Sequence, residues 1–239
     1  MKRALFSVGI LTVALACLTG CGQRKPAEAP KAAASKVESA APNIETAVPP
    51  APVAPATAAQ APAAPKPEIV PLVVADFNSG SKPNNVGGDF GSWNKDPNDP
   101  TQGCAEKFNS DERYGKDGYS LELDYDVDSL NPAYCGFWMK LDNKDVSQYN
   151  MLVFYIKGDE KAGYPQRMKI ELKNAKGEVG KTYITQISPT WSPVEVPFSN
   201  LQGIKDFSNM TEFTIVFEDS ASRPKTGKIY IDNVGFARQ

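Results

Sequence analysis

The sequence predicts an all-β fold for residues 68–239, an antiparallel β-sandwich of the jelly-roll kind, preceded by a disordered tether. Three observations predict it. Short segments alternate apolar and polar residues with a period of two, which puts successive side chains on opposite faces of a sheet. Gly, Pro, Asn and Asp cluster between these segments and mark turns. No segment of helical length carries an amphipathic 3.6-residue pattern, and alternation with one polar face suits antiparallel sheets rather than an α/β sheet.

The segments follow in order. Residues 69–77, IVPLVVADF, read as a first strand, and a turn-rich run with Gly80, Pro83, Gly87 and Gly88 leads to Phe90 and Trp93. Residues 94–103, NKDPNDPTQG, read as a long polar loop. Within it Asp96, Pro97, Asn98 and Asp99 have a spacing reminiscent of a calcium loop, but a solvated turn is the expectation. In 119–127, Leu121, Leu123, Tyr125 and Val127 face the core and Glu122, Asp124 and Asp126 face out.

The pair 134–141 and 151–157 organises the rest. Cys135, Phe137, Met139 and Leu141 form one face of the first; Leu152, Phe154 and Ile156 form one face of the second. The opposite faces carry Tyr134, Trp138 and Tyr155 beside lysines, which suits either a binding platform or rings packed beneath a loop. Further strands are expected at 167–173, 179–187, 191–198, 211–218 and 227–236, with a short helical turn near 199–208.

Composition narrows the chemistry. The chain of 239 residues has no His, which removes Ser-His and Cys-His nucleophiles and His-ligated zinc. Residues 68–239 hold 19 basic and 25 acidic side chains, a net charge of −6, so nucleic acid is not an expected partner. The segment is long enough for one good core. No spacing singles out a carboxylate pair of the kind a glycosidase needs, so the domain is expected to be non-catalytic.

The first 67 residues are of another kind. Lys2 and Arg3 precede an apolar run from Ala4 to Ala16, the pattern of a secretory signal. The run ends in Leu18-Thr19-Gly20-Cys21, which resembles the lipobox of bacterial lipoproteins. The resemblance implies that Cys21 becomes the mature N-terminus and carries lipid, palmitate included. Gly22 follows rather than Asp, which by the same resemblance implies the outer membrane. Membrane contact is then expected through the lipid anchor alone. Residues 22–67 hold 16 Ala and 10 Pro and no aromatic, so they cannot bury enough apolar surface to offset ordering. Frequent Pro makes such a segment a semi-rigid spacer with an extended limit on the order of 140 Å.

The order VVADFNSG, CGFWMKL, DVSQYNMLVFYIKGD, WSPVEVPF and KIYIDNVGF resembles the jelly-roll carbohydrate-binding modules of the galactose-binding-like group. It is most similar to family 11 modules and to the complex I intermediate-associated protein family. The resemblance covers nearly all of 70–237 and implies a monomeric module that binds a polysaccharide or other glycan. Its second member implies an alternative, an envelope factor that binds proteins. A sugar ring offers apolar CH faces and a rim of hydroxyls, so a glycan site wants exposed aromatics beside hydrogen-bonding groups. The outward residues that qualify are Tyr134, Trp138, Tyr155, Lys169, Glu171, Tyr183 and Glu218. Trp93 and Trp191, next to turns, are expected to be structural.

In the resembled group the first and last strands meet and often hold a structural calcium. Asp76, Asn78 and Asp232 are the residues to which this carries over. The alternative for Asp232 is a turn cap. Cys17 leaves with the signal and Cys21 is committed to lipid, so Cys104 and Cys135 remain in an oxidising compartment. A disulfide between them is expected, contributing about 3–4 kcal/mol in the chain-entropy model.

Overall fold

The computed structural model describes residues 70–239. The leader, Cys21 and the 22–67 tether lie outside the described residues. Eleven strands run in the order β1 (Leu72–Ala75), β2 (Phe90–Asn94), β3 (Gly103–Asn109), β4 (Ser120–Asp126), β5 (Tyr134–Lys144), β6 (Met151–Gly158), β7 (Met168–Asn174), β8 (Val179–Ile184), β9 (Ser192–Pro197), β10 (Met210–Glu218) and β11 (Thr226–Ala237). The short helical turn expected near 199–208 is a single 3-10 turn at Phe198–Asn200.

The strands form two antiparallel sheets. One has the order β3-β4-β11-β6-β9, with β1 also pairing along β11; the other has the order β2-β5-β10-β7-β8. The apolar residues of each alternating strand point between the sheets, as the period of two requires. Phe213, Ile215 and Phe217 of β10 are fully buried, as are Leu121 and Leu123 of β4. Rings meet across the seam: Tyr125 of β4 stacks on Phe217 at 4.3 Å, and Phe154 of β6 tilts against Phe213 at 6.0 Å. The faces read from the sequence for β4, β5, β6, β7 and β10 are the faces observed.

Two elements differ from expectation. The run ending at Phe90 and Trp93 is a strand, and the polar stretch 94–103 is followed at once by another. The alternation of β3 is broken by Glu106, which shares its face with Cys104 and Phe108. The carboxylate earns that place by accepting a hydrogen bond from Ser92 N of β2 at 2.9 Å, between the edges of the two sheets. The pair that organises the sequence is also split. β5 lies in the five-stranded sheet and β6 in the six-stranded one, so their connection crosses the sandwich.

Candidate functional site

The outward face of the five-stranded sheet forms a cleft of about 620 Å³. Pairing register places its residues in cross-strand rows. One row runs Trp93, Gly136, Val216, Lys169 and Tyr183; the next runs Gly91, Trp138, Thr214, Glu171 and Lys181; a third carries Lys140, Glu212 and Lys173. Neighbours in such a row are the side chains that touch across a sheet.

The β2–β5 side of the cleft is aromatic. Each tryptophan there faces a glycine on the adjacent strand. A side chain at Gly91 would meet three atoms of the Trp138 indole, Cζ2, Nε1 and Cε2, at 3.3–3.5 Å, so the ring lies against that glycine. Trp93 reaches over Gly136, its Cζ2 lying 3.1 Å from where a Cβ would be. Without Cβ atoms at these glycines the half-buried indoles can approach the sheet backbone closely. Tyr134, 42% exposed, meets Trp93 edge-on at 5.7 Å, and Lys95 Nζ lies 5.4 Å from the Tyr134 ring centre. Lys140 Nζ lies 5.4 Å from the Trp138 ring centre.

The β10–β7–β8 side is ionic. Lys140 and Lys173 donate to the two oxygens of Glu212 at 2.5 and 2.6 Å. Lys169 donates to Glu218 Oε1 at 2.6 Å and lies 3.4 Å from Glu171 Oε1. Tyr183 donates its hydroxyl to Glu218 Oε2 at 2.7 Å. Burial pushes the carboxyls of Glu212 and Glu218 up. The lysines, and Tyr183 at Glu218, outweigh it and hold both below their ordinary value. Burial likewise works against the Lys169 ammonium, and Glu218 and Glu171 outweigh it, so its pKa is raised. The hydrogen bond to Glu218 raises Tyr183. The ammonium groups, with the Tyr183 hydroxyl at Glu218, thus favour the ionised carboxylates of Glu212 and Glu218.

Of the seven residues read as ligand-contacting from sequence, Tyr134, Trp138, Lys169, Glu171 and Glu218 line this cleft. Tyr183 lies one strand further out, 40% exposed, with the Arg167 guanidinium 3.7 Å from its ring centre. Tyr155 is not with them. It lies on the other sheet, stacked at 3.6 Å on Tyr114 of the 110–119 loop, and Glu112 of that loop pairs with Lys157. Trp191 packs edge-on to Tyr114 at 6.0 Å, away from the cleft. Trp93, expected to be structural, also lines the cleft. Lys140, Lys173, Glu212, Thr214 and Val216 also line it and were not singled out. The signal was there, since Lys140 alternates in phase with Trp138, Lys173 with Lys169, and Glu212, Thr214 and Val216 with Glu218.

A family model for carbohydrate binding domain 30 matches residues 82–238. The chain belongs to the carbohydrate binding domain 30 family. The carbohydrate-binding half of the resemblance read from the sequence is the half this match supports. Among solved structures the chain is similar to the family 11 carbohydrate-binding module of a cellulosomal cellulase of Clostridium thermocellum. Identity is 22%, the match covers 72% of this chain and 97% of that one, and the TM-score is 0.53. It is similar also to the Clostridium thermocellum family 11 module in complex with a beta-1,3-1,4-mixed-linked tetrasaccharide, at 22% identity, 72% and 98% coverage and a TM-score of 0.52. An exo-beta-agarase matches at 12% identity and a TM-score of 0.51, covering 70% of this chain and 25% of the agarase. At these identities the likeness is one of fold. No curated protein matches the chain.

Two further features of this carbohydrate-binding domain bear on the sequence reading. Asp232 is 1% exposed, and its oxygens accept Tyr114 N at 3.1 Å and Asn233 N at 2.8 Å. It sits in strand β11 and holds the backbone of the 110–119 loop through Tyr114 N. Burial, opposed by those two hydrogen bonds, and the nearby charge of Asp76 push its carboxyl up to about 6. Asp76 bonds to Asn78 N at 3.1 Å and to Asn85 Nδ2 at 2.9 Å, and Asn78 Oδ1 lies against Gly118. Among the described residues no lysine or arginine pairs with Asp232, and no group of three or more His, Cys, Asp or Glu is placed to hold a metal.

Cys104 and Cys135 correct the disulfide expectation: both are buried and free. They face each other from opposite sheets, and the Cys135 thiol donates to the Gly103 carbonyl oxygen at 2.9 Å. The hydrogen bond to Cys135, together with burial, pushes the Cys104 thiol up. Both behave as small core residues. The 96–99 segment is a turn held by its own bonds. Asp99 accepts from Thr101 N and Oγ1, Gln102 Nε2, Ser129 Oγ and Asn131 Nδ2, which keeps its carboxyl far below the usual range.

Proposed function

We propose that the domain is a non-catalytic glycan-binding module that takes a polysaccharide chain along the outward face of the β2-β5-β10-β7-β8 sheet. The observation that carries this reading is the pair of indoles, Trp93 and Trp138, each against a glycine of the adjacent strand and beside a comb of charged groups. Ring faces take the CH faces of a pyranose, and the ammonium and carboxylate groups take its hydroxyls. The family match supports the ligand class, and the mixed-linkage tetrasaccharide bound by the family 11 module is in keeping with it. Titration of the protein against mixed-linkage glucan, cellulose-type glucan, mannan, xylan and peptidoglycan tests it. Binding to at least one, weakened about tenfold or more by Trp138→Ala, is expected. Retention on none of them by folded protein would reject the reading.

The module is held at the cell envelope by lipid on Cys21, with residues 22–67 as spacer; the sequence of the leader and the lipobox resemblance support this. Palmitate labelling that persists in Cys21→Ser would count against it. Asp76, Asn78 and Asp232 would hold a calcium ion, which would neutralise the buried Asp232 and tie the segment after β1 to the middle of β11. An ion bound only by the folded chain raises its melting temperature by mass action. Calcium is expected to raise that temperature over chelator in the parent and not in Asp232→Ala. Equal melting temperatures in the parent would remove the ion.

A further inference from the structure

We propose that the glycan taken by this cleft is acidic, a polysaccharide bearing uronate carboxylates, and that Arg167 anchors one of those carboxylates at the β8 end. The inference rests on the glycan-binding reading and names its ligand class.

The first ground is charge. Residues 68–239 carry a net of −6, while the cleft lining is balanced, Lys140, Lys169 and Lys173 against Glu171, Glu212 and Glu218, and further positive groups stand at its edges. Three carboxylates, Glu171, Glu212 and Glu218, are engaged by four lysines: Lys140, Lys169, Lys173 and Lys181. Lys95 and Arg167 add two more positive groups, each placed against a rim tyrosine. Asp142 and Asp219, further along β5 and just past β10, lie outside the lining, as do Lys95, Lys181 and Arg167.

The second ground is hydrogen-bond capacity. Both oxygens of Glu212 and both of Glu218 already accept bonds. An ammonium has three donors, and Lys140 and Lys173 each spend one on Glu212. The ammonium groups therefore keep donors free for the acceptor oxygens of a ligand.

Arg167 is the third ground. It is exposed, and among the described residues it has neither an ion pair nor a hydrogen bond. Its plane is held by stacking on Tyr183, and Tyr183 is held in turn by Glu218. A guanidinium with its fork unengaged and its plane fixed is arranged to take a carboxylate through two parallel bonds. The row from Trp93 to Tyr183 crosses five strands, on the order of 19 Å. A chain stacked on the indoles reaches Arg167 only as an oligosaccharide.

The test is calorimetric titration of the full chain with a glucuronan hexasaccharide and with its carboxyl-reduced neutral counterpart. Both are run at low salt (about 0.05 M) and high salt (about 0.5 M). The acidic chain is expected to bind at least about tenfold more tightly than the reduced one at low salt, and to lose that advantage at high salt. Arg167→Gln removes the advantage while leaving the reduced chain's affinity in place, Arg167→Lys restores only part of it, and Trp138→Ala weakens both. If the reduced chain or another neutral glycan binds as tightly or more tightly, sensitive to Trp138→Ala and indifferent to Arg167→Gln, the uronate inference is overturned and the glycan reading stands. If no glycan binds, both fall.

Discussion

At the scale of single residues, the site works through what each side chain rests on. Trp138 lies close against the neighbouring strand because Gly91 has no side chain. Glu218 stays ionised because Lys169 and Tyr183 share its two oxygens. A carboxyl held below its unfolded value adds stability above that value, about 4.3 for Glu, and the contribution is lost as pH falls through the lowered folded value. The melting temperature is therefore expected to drop steeply below about pH 4. The drop should be shallower in Glu218→Gln; a thermal scan with parallel slopes for the two proteins would show that the pair adds nothing. Tyr134, Trp138, Lys169, Glu171 and Glu218 were legible as cleft residues because each alternates out of phase with a fully apolar face. Tyr155 obeys the same alternation and ends up under the 110–119 loop. Period two tells which face of a strand a residue takes and carries no information on what covers that face.

The elements explain what the sequence hid. β2 is only five residues, FGSWN, and reads as the tail of a turn because its glycine breaks the apolar pattern. That glycine is the seat of Trp138, so the feature that obscured the strand is the one that builds the platform. β3 was obscured by Glu106, whose inward carboxylate is satisfied by a backbone amide of β2, a partner that local sequence cannot reveal. The split of β5 from β6 follows from pairing: β5 is flanked by β2 and β10, both distant in sequence from the β5–β6 connection. Gly136 tests the packing of this element. A methyl there would collide with the Ile215 carbonyl oxygen of β10 as well as crowd Trp93. Gly136→Ala is expected to lower stability by about 1–3 kcal/mol in denaturant unfolding and to weaken glycan binding with it. Full stability in that variant would mean the strands are less tightly apposed than described.

For the whole molecule, the two sheets divide the work. The six-stranded sheet carries the 110–119 loop, the Tyr114–Tyr155 stack and the Asp76–Asp232 corner, and the five-stranded sheet carries the open cleft. The three tryptophans of the chain sort themselves by this division: Trp93 and Trp138 lie in the cleft, and Trp191 lies on the other sheet. They make the most direct measurement of the central claim possible in one experiment, the indole N–H resonances followed through a glycan titration. The account predicts that the Trp93 and Trp138 signals, assigned by Trp→Phe variants, shift together and saturate at one concentration while Trp191 stays still. A saturable shift of Trp191 with the other two unmoved would contradict it.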